Sequence, residues 1–488
     1  GKPSASRLLR NKGSLSPGHF EDVTEKYGVD MDSFKLEQFD LSSGTYAFAS
    51  SFTDFDNDGN ADLLVTADFG ESRMFWSMGT NRSFWECTEH CGLRGEQDAM
   101  GHAIGDWNND GLMDWFSTAI MDNKTNCETV GCTFDDGGNK LYQNLGGRHF
   151  SDVTEQAGVA NGGWGWGAAF FDFNNDGYQD IVMTNGIDFP TTTTDDQFDR
   201  VRMRLWQNLG AGFHGKTKEV SQQLGINSTK QGRGLLKWDF DDDGDVDVVV
   251  CNNVGRPEIY ENLGGNEDNF WIKVHVLHSC KKEPSLLCES LGARIKVQQE
   301  NIDFNQTQEI GSSTHFLAQS ERVAHFGLGS SANNVTVHVS WPATGSHLYI
   351  YNVPVNTRLQ AVQPETSGLE KSDYSSLEIC PTMKITEITK QPEKGRVKIN
   401  SDGRTARYII SPTVSLEDLD FQNFSYKVQI FPNTSHATSA LRSAYIHSEE
   451  EDECHNGKPV GYQKLKPTDE RRYDGVSNNK QHLMWGAV

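Results

Sequence analysis

The sequence predicts an all-β chain: a metal-loaded β-propeller with four recognisable blades, closed by an N-terminal strand and followed by β-sandwich-like domains. Two observations carry this. An acidic nine-residue loop recurs at intervals of about fifty to seventy residues, each copy between short apolar runs. Each copy travels with the same satellite motifs, so one unit holds four short strands separated by turn residues, the content of a propeller blade.

The loops lie in "FTDFDNDGNADLLV" from Phe52, "GDWNNDGLMDWF" from Gly105, "FFDFNNDGYQDIV" from Phe170 and "KWDFDDDGDVDVVV" from Lys237. Small residues two apart precede each one: Ala47 and Ala49, Ala99 and Gly101, Gly165 and Gly167, Gly232 and Gly234. They mark an innermost strand, where blades converge and side chains larger than a methyl collide. Phe48, Met100, Trp166 and Arg233 stand between them and share one face, toward either the central channel or the blade interface. "MFWSMG", "LYQNLG", "LWQNLG" and "IYENLG" follow as third strands, then "FWECTEHCGL", "FSDVTEQAGV" and "TKEVSQQLGI" as fourth strands. The last unit lacks its own fourth strand, while "FEDVTEKYGV" stands ahead of the first at Phe20. That strand is expected to complete the fourth blade and zip the ring shut, leaving no exposed edge.

The loop pattern Asp-x-Asp/Asn-x-Asp-Gly-x-x-Asp supplies oxygens at positions 1, 3, 5 and 9 and a backbone carbonyl at 7. The first loop offers Asp54, Asp56, Asp58, Asn60 and Asp62; the second, Asp106, Asn108, Asp110, Leu112 and Asp114. The third offers Asp172, Asn174, Asp176, Tyr178 and Asp180; the fourth, Asp239, Asp241, Asp243, Asp245 and Asp247. Hard, flexible oxygen coordination suits calcium, magnesium wants tighter octahedral geometry, and the glycine at position 6 permits the sharp turn. Soft metals lack His or Cys ligands here. An EF-hand needs Glu at position 12 and a following helix. Position 12 is Val65, Ser117, Met183 or Val250, inside an apolar run, so these are strand–loop–strand sites. Fourfold repetition favours structural staples over a catalytic carboxylate pair. By carboxylate count the first and fourth loops should bind more tightly, with about four ions filled constitutively outside cells.

A length of 488 residues predicts several domains, and 10% aromatic content predicts folded protein. The formal net charge of −24 disfavours nucleic acid, since no basic stripe displaces counterions from phosphate. No run reaches the roughly 18 apolar residues of a membrane span. The opening "GKPSASRLLRNKG" lacks an apolar signal core and is read as a mature, processed form. Sequons at Asn81, Asn123, Asn227, Asn305, Asn334, Asn423 and Asn433 predict N-glycans and secretion. The nine cysteines agree: Cys87 with Cys91, Cys127 with Cys132 and Cys280 with Cys288 are close pairs, and Cys380 and Cys454 form a longer one. Cys251, in "DVVVCNN", is expected to be a buried free thiol.

From Asn269 the period changes to alternating strands, "NFWIKVHVL" and "GARIKVQ", then "TQEIGSSTHFLAQSERVAHFGLG" and "NVTVHVSWPATG". His315, His325, His338 and His347 fall at no ligand spacing and are read as strand-face or loop residues. The expected division is a flexible arm at 1–19, the propeller at 20–265, a β-domain at 266–363 and a linker at 364–379. A cadherin- or Ig-like sandwich at 380–447, carrying "GRVKINSDG" and "FSYKV", and a polar tail at 448–488 complete it.

The acidic loops with "LYQNLG" and "FSDVT" resemble the FG-GAP/VCBS propeller repeats of integrin α-chains, and "GARIKV…VAHFGLG…SWPATG" resembles the ASPIC/UnbV domain. In this order they are similar to the cartilage acidic protein family of secreted matrix glycoproteins, although four blades are fewer than that family's usual propeller. The resemblance implies a calcium-loaded extracellular binding or matrix protein, with the four loops as its transferable functional residues and no enzymatic activity. The expected function is a secreted matrix or adhesion scaffold that binds protein or glycan through inserted loops such as Met121–Asn139 and Gly186–Arg204. A biomineral-associated acidic protein and a propeller enzyme acting on polysaccharide are the alternatives.

Overall fold

The computed structural model describes residues 6–13, 16–31, 46–69, 72–79, 83–93, 98–121, 137–187, 198, 201–213, 215–264, 269–280, 283–299, 305–312, 314–364 and 368–373, and six strands beyond them. One unit comprises residues 1–240 and 244–374, and a second comprises 375–488 with 241–243.

The first unit begins with β1 (Leu9–Asn11) and β2 (Phe20–Asp22), a two-stranded antiparallel sheet, and the short helix α1 (Thr24–Tyr27). Four antiparallel sheets follow, built in sequence order as the motifs predict. The first is β3 (Ala47–Thr53), β4 (Asp62–Ala67), β5 (Arg73–Ser77) and β6 (Phe84–Glu86). The second is β7 (Ala99–Gly105), β8 (Asp114–Ala119), β9 (Lys140–Asn144) and β10 (Phe150–Asp152), with α2 (Thr154–Ala157) after it. The third is β11 (Gly165–Phe171), β12 (Asp180–Asn185), β13 (Arg204–Asn208) and β14 (Thr217–Glu219). The fourth has three strands, β15 (Gly232–Trp238), β16 (Asp247–Asn252) and β17 (Glu258–Tyr260). Phe170 pairs with Ile181, so the two ends of the third acidic motif are adjacent strands of one blade.

Successive blades bury apolar faces against one another. Phe55, Trp76, Trp115, Tyr142 and Phe150 fill the first interface, Phe116, Phe170 and Trp206 the second, and Phe171, Leu205 and Leu235 the third. The small residues act as the sequence requires: a Cβ on Gly101 would collide with the Trp166 carbonyl, and one on Gly167 with that of Arg233. The threonine four residues beyond the last aspartate of each of the first three loops then bridges blades. Thr66 Oγ1 donates to the Met100 carbonyl (3.2 Å), Thr118 Oγ1 to Trp166 (2.6 Å) and Thr184 Oγ1 to Arg233 (3.3 Å).

Three expectations are corrected. The strand at Phe20 does not complete the fourth blade; it pairs with β1, because Arg7–Asn11 supplies a third-strand-like segment immediately ahead of it. A short local hairpin closes with less entropy loss than a ring spanning the whole propeller. Residues 9–11 of the expected flexible arm are therefore strand. Cys251 is free but exposed. It occupies the place of the bridging threonines, beyond the Val248–Val250 stretch that β17 covers, and faces Gly234, which has no side chain to shield it.

The downstream β-domain comprises two sheets. One holds β18 (Phe270–Cys280), flanked by β19 (Glu283–Glu289), β24 (Val323–Gly329) and the parallel β27 (Thr357–Val362). The other runs β21 (Asn305–Glu309), β20 (Arg294–Gln299), β25 (Asn334–Trp341), β26 (Ser346–Pro354), β28 (Gly368–Asp373). β28 lies within the stretch expected to be linker and pairs parallel to β26. Between the sheets in sequence, β22 (Thr314–His315) and β23 (Ala318–Gln319) form a tight hairpin.

That hairpin decides which way Phe48, Met100, Trp166 and Arg233 face. Phe316 at its tip packs with Met100, Trp164, Trp166 and Phe198. Its ring lies 5.4 Å from that of Trp166 and 6.0 Å from that of Phe48, while the Arg233 guanidinium sits 3.8 Å over Trp166. The face is the hub of the blades, and the downstream domain plugs it.

In the second unit β29 (Thr382–Lys390), β32 (Asn423–Phe431) and β33 (Thr438–Tyr445) form one sheet. β30 (Arg396–Ile399), β31 (Ala406–Ile409) and β34 (His482–Trp485) form another, so the expected polar tail contributes a strand. The cysteine pairs Cys127/Cys132 and Cys380/Cys454 and most of both inserted loops lie outside the described residues.

Candidate metal centres

Each acidic loop links the first two strands of a blade and adopts one conformation. Position 4 is left-handed (φ 61° at Asn57, 60° at Asn109, 55° at Asn175, 60° at Asp242), and the glycine at position 6 has φ between 87° and 97° across the second to fourth loops. The positive-φ requirement at positions 4 and 6 explains the Asn/Asp-x-Gly composition, since asparagine, aspartate and glycine tolerate that region best.

The position-1 aspartate folds the loop around itself. Asp54 accepts from the amides of Asp58 (3.0 Å) and Gly59 (2.9 Å), Asp106 from Asp110 and Gly111, and Asp172 from Asp176 and Gly177. Asp239 accepts from Gly244 at 3.1 Å. The position-9 aspartate anchors the loop to its blade. Asp62, Asp114, Asp180 and Asp247 each accept one amide from loop position 2, at 2.9 to 3.2 Å. Each accepts a second from the end of the third strand (Ser77, Asn144 and Asn208) or, in the fourth blade, from Asn262 just beyond it, at 2.7 to 2.8 Å. All eight carboxylates at positions 1 and 9 are buried.

The donor set fits a hard divalent cation. One oxygen from each of Asp54, Asp56 and Asp58 lies within 4.8 Å of the others, and the same holds for Asp239, Asp241 and Asp247. Burial pushes the carboxyls of Asp62 and Asp106 up to about 8 and those of Asp114, Asp172 and Asp180 well above their usual range. Such desolvated acids call for a counter-cation. At position 3 of the third loop, Asn174 Oδ1 is buried without a hydrogen-bond partner, an orphaned acceptor that a cation would satisfy. Asp56, Asp58, Asn108, Asp110, Asp176, Asp241 and Asp243 stand at the remaining side-chain positions. Asn60, Leu112, Tyr178 and Asp245 hold position 7, where the backbone carbonyl is the ligand type.

Sequence reasoning missed the residues that lace the loops together. The asparagine of the "NLG" motif reaches back to the preceding loop: Asn144 Nδ2 donates to the Phe55 carbonyl, Asn208 to Trp107 and Asn262 to Phe173. Asn109 and Asn175, at position 4, donate forward to the carbonyls of Gly177 and Gly244. The repeated asparagine was a visible signal, read only as the end of a strand.

The downstream domain sits on the same loops. Arg294 donates to the Asp54 carbonyl and pairs with Glu309 at 3.1 Å. Asn269 donates to the Asn174 carbonyl at 2.8 Å, Gly329 N to that of Asn175, and His325 Nε2 lies 2.8 Å from that of Gly244. Lys273 Nζ contacts Asp239 Oδ2.

The histidines form no metal cluster among the described residues. His338 and His347 face each other on adjacent strands, with Nε2 and Nδ1 3.2 Å apart. Ser51 Oγ–His102 Nε2 and Ser320 Oγ–His315 Nε2 are each 2.7 Å, and all four residues are buried. The disulfides Cys87–Cys91 and Cys280–Cys288 form as the spacing predicts. Among the described residues no helix is long and apolar enough to cross a membrane.

Comparison with known proteins agrees with this architecture. The FG-GAP-like repeat family matches residues 54–117 and 128–183, covering the first three loops. The ASPIC and UnbV family matches residues 288–368. The chain is 23% identical over 264 residues to Cartilage acidic protein 1 of Homo sapiens, covering 43% of this chain and 38% of that protein. With the Mus musculus protein of the same name the figures are 22% over 291 residues, 58% and 40%. The chain thus spans about two fifths of the length of the curated relatives it matches. Blades, loops and downstream domain together identify a chain of FG-GAP-like repeats followed by an ASPIC and UnbV domain, weakly homologous to cartilage acidic protein 1.

Proposed function

We propose that this chain is a secreted, calcium-binding glycoprotein that acts as an extracellular-matrix or adhesion scaffold, not as an enzyme, with calcium in a structural role. The observation that carries the reading is the fourfold loop: buried carboxylates hold their own loop, their own blade and, through the asparagine lacing, the next blade. A cation bound there fixes the loop whose own hydrogen bonds tie it to its blade and to the neighbouring loop, which is how it would act as a staple. The weak similarity to cartilage acidic protein 1 supports an extracellular-matrix-like protein. The two disulfides favour an oxidising compartment. Asn227, Asn305 and Asn334 are exposed, as glycan acceptors must be.

A rigid frame with variable loops is a binding platform, so the partner is an extracellular protein or glycan. Affinity capture from matrix extract, run in calcium and again in chelator, tests this. The scaffold reading expects partners recovered in calcium and lost in chelator. Recovery of nothing above background in calcium contradicts it.

A further inference from the structure

The downstream domain touches all four acidic loops, but fixed cations serve only the first and fourth. At the first loop Arg294 donates to the Asp54 carbonyl and Arg148 pairs with Asp56 at 2.8 Å. At the fourth, Lys273 Nζ lies 2.9 Å from Asp239 Oδ2. Among the described residues no ion pair reaches a carboxylate of the second or third loop. Yet Asp106, Asp114, Asp172 and Asp180 are each at 1% exposure or less. Buried carboxylates without a counter-charge are costly, and covering them with a neighbouring domain removes the water that remains.

Over these two loops the covering contacts come largely from backbone. β21 is the edge strand of its sheet, and the Thr307 amide donates to the Asp106 carboxylate. Thr307 Oγ1 is buried without a hydrogen-bond partner, and a Cβ on Gly111 of the same loop would stand 3.7 Å from it. Calcium commonly keeps water among its ligands, and such a water would satisfy that hydroxyl. At the third loop Gly329 N donates to the Asn175 carbonyl and Asn269 Nδ2 to that of Asn174, both at 2.8 Å. Gly327 lies so close to the same loop that a Cβ would collide with Asp172 Oδ2 and the Asn175 backbone. These contacts meet the loop in one conformation, with Asn175 left-handed at φ 55°. The seam also holds a cavity, lined by Asp106 and Gln179 of the blades and by Gln308, Ser312 and Ala324 of the downstream domain. Lys237 lines it too and, among the described residues, makes no ion pair with either loop.

We propose, on the basis of the calcium-binding function above, that the downstream domain is the lid of the second and third metal centres, with Thr307 and Gly327 as positioning residues. A divalent cation in these loops and closure of the lid then favour each other. The cation compensates the carboxylates that the lid dehydrates, and the lid in return holds the loops in their coordinating shape. The coupling is reciprocal: the factor by which calcium tightens closure is the factor by which closure tightens calcium. At the first and fourth loops Arg148, Arg294 and Lys273 supply positive charge, so closure there has no such requirement.

The test uses the full chain, stripped with chelator. Calorimetric titration with calcium comes first; if no calcium binds, the calcium-binding function fails and the lid with it. Residue-resolved hydrogen exchange is then compared in saturating calcium and in chelator at one pH. Exchange about tenfold faster in chelator is expected at the Thr307 and Gly329 amides, which donate to the loops. The rates at Val337 and Val339, inside β25, should stay unchanged. Equal rates at Thr307 and Gly329 in a chain that binds calcium overturn the lid and leave calcium binding standing. Faster exchange at Val337 and Val339 as well also overturns it, because the domain is then unfolding instead of opening. Gly327→Ala gives the reciprocal arm: its Cβ holds the lid off the third loop, so calcium should bind about fivefold more weakly or worse. Parental affinity in a variant with parental circular dichroism contradicts the proposal. Should that variant fail to fold, the exchange rates of the parent chain decide the matter alone.

Discussion

Lys273 Nζ lies 2.9 Å from Asp239 Oδ2, with both side chains at 1% exposure or less, and 3.5 Å from Glu321. An internal ammonium therefore sits on the first ligand position of the fourth loop. At the first loop Arg148 pairs with Asp56 at 2.8 Å and reaches Asp58 at 3.9 Å. Carboxylate count alone ranks these two loops as the tightest, yet they are the loops carrying a fixed cation, which opposes a second one. Lys273→Met should lower metal-free stability by about 3–5 kcal/mol, the loss expected when a buried pair is broken. Calcium should restore more of it than in the parent. The gap between Tm in calcium and in chelator is the readout, and an unchanged gap contradicts the assignment.

Asp180 shows what the position-9 carboxylates do for the blade. It accepts from Asn208 N at 2.7 Å and Phe173 N at 3.2 Å while fully buried. Asp180→Asn puts an amide N–H₂ against one of those donors and should cost about 1–3 kcal/mol. Chemical denaturation in chelator checks this, because the loss is expected even with calcium removed.

The Phe316 plug should matter to the blades as well as to the domain that carries it. Phe316→Ala is expected to destabilise by about 3–5 kcal/mol, the usual range for a buried phenylalanine. Tryptophan emission should shift with it, since Trp166 loses its 5.4 Å neighbour. A variant that unfolds like the parent would show that the hairpin merely rests on the hub.

Burial gives the metal-free protein two opposing pH limbs. His102 is held down to about 4 and His315 and His325 to about 3, so the fold keeps them neutral. Their contribution is present above the unfolded pKa of about 6.5 and is lost as pH falls through it toward the folded values. Asp62 and Asp106, raised to about 8, act in the other direction. Their contribution is present below about 3.9 and is lost as pH rises toward 8. In chelator, Tm should fall as pH rises from about 6.5 to about 8; calcium should abolish that limb and leave the acid limb in place. An alkaline limb that survives saturating calcium would place the raised carboxylates outside the metal sites.

The repeat made much of the fold legible. The small-x-small pairs identified the inner strands because a blade hub excludes side chains, and Gly101 and Gly167 meet carbonyls there. The acidic loops were legible because left-handed backbone at two of nine positions restricts composition so sharply. Ring closure was not, since "FEDVT" marks a fourth strand without saying which third strand it joins; Leu9–Asn11, too short to stand out, decided it. The cations on the first and fourth loops were hidden for a related reason. Lys273 is 34 residues from Asp239 and Arg148 is 92 from Asp56, and one-dimensional spacing carries no signal over such distances.

The most direct measurement of the central claim is calorimetry of the full chain, first in millimolar calcium and then in excess chelator, at one pH and ionic strength. Stabilisation by a ligand that binds only the folded state follows RT ln(1 + [L]/Kd) at each site. Four structural sites therefore predict a Tm that climbs with calcium concentration and falls by many degrees on chelation. A Tm that is the same in calcium and in chelator would contradict the account: the acidic loops would then be hydrogen-bonded turns and nothing more.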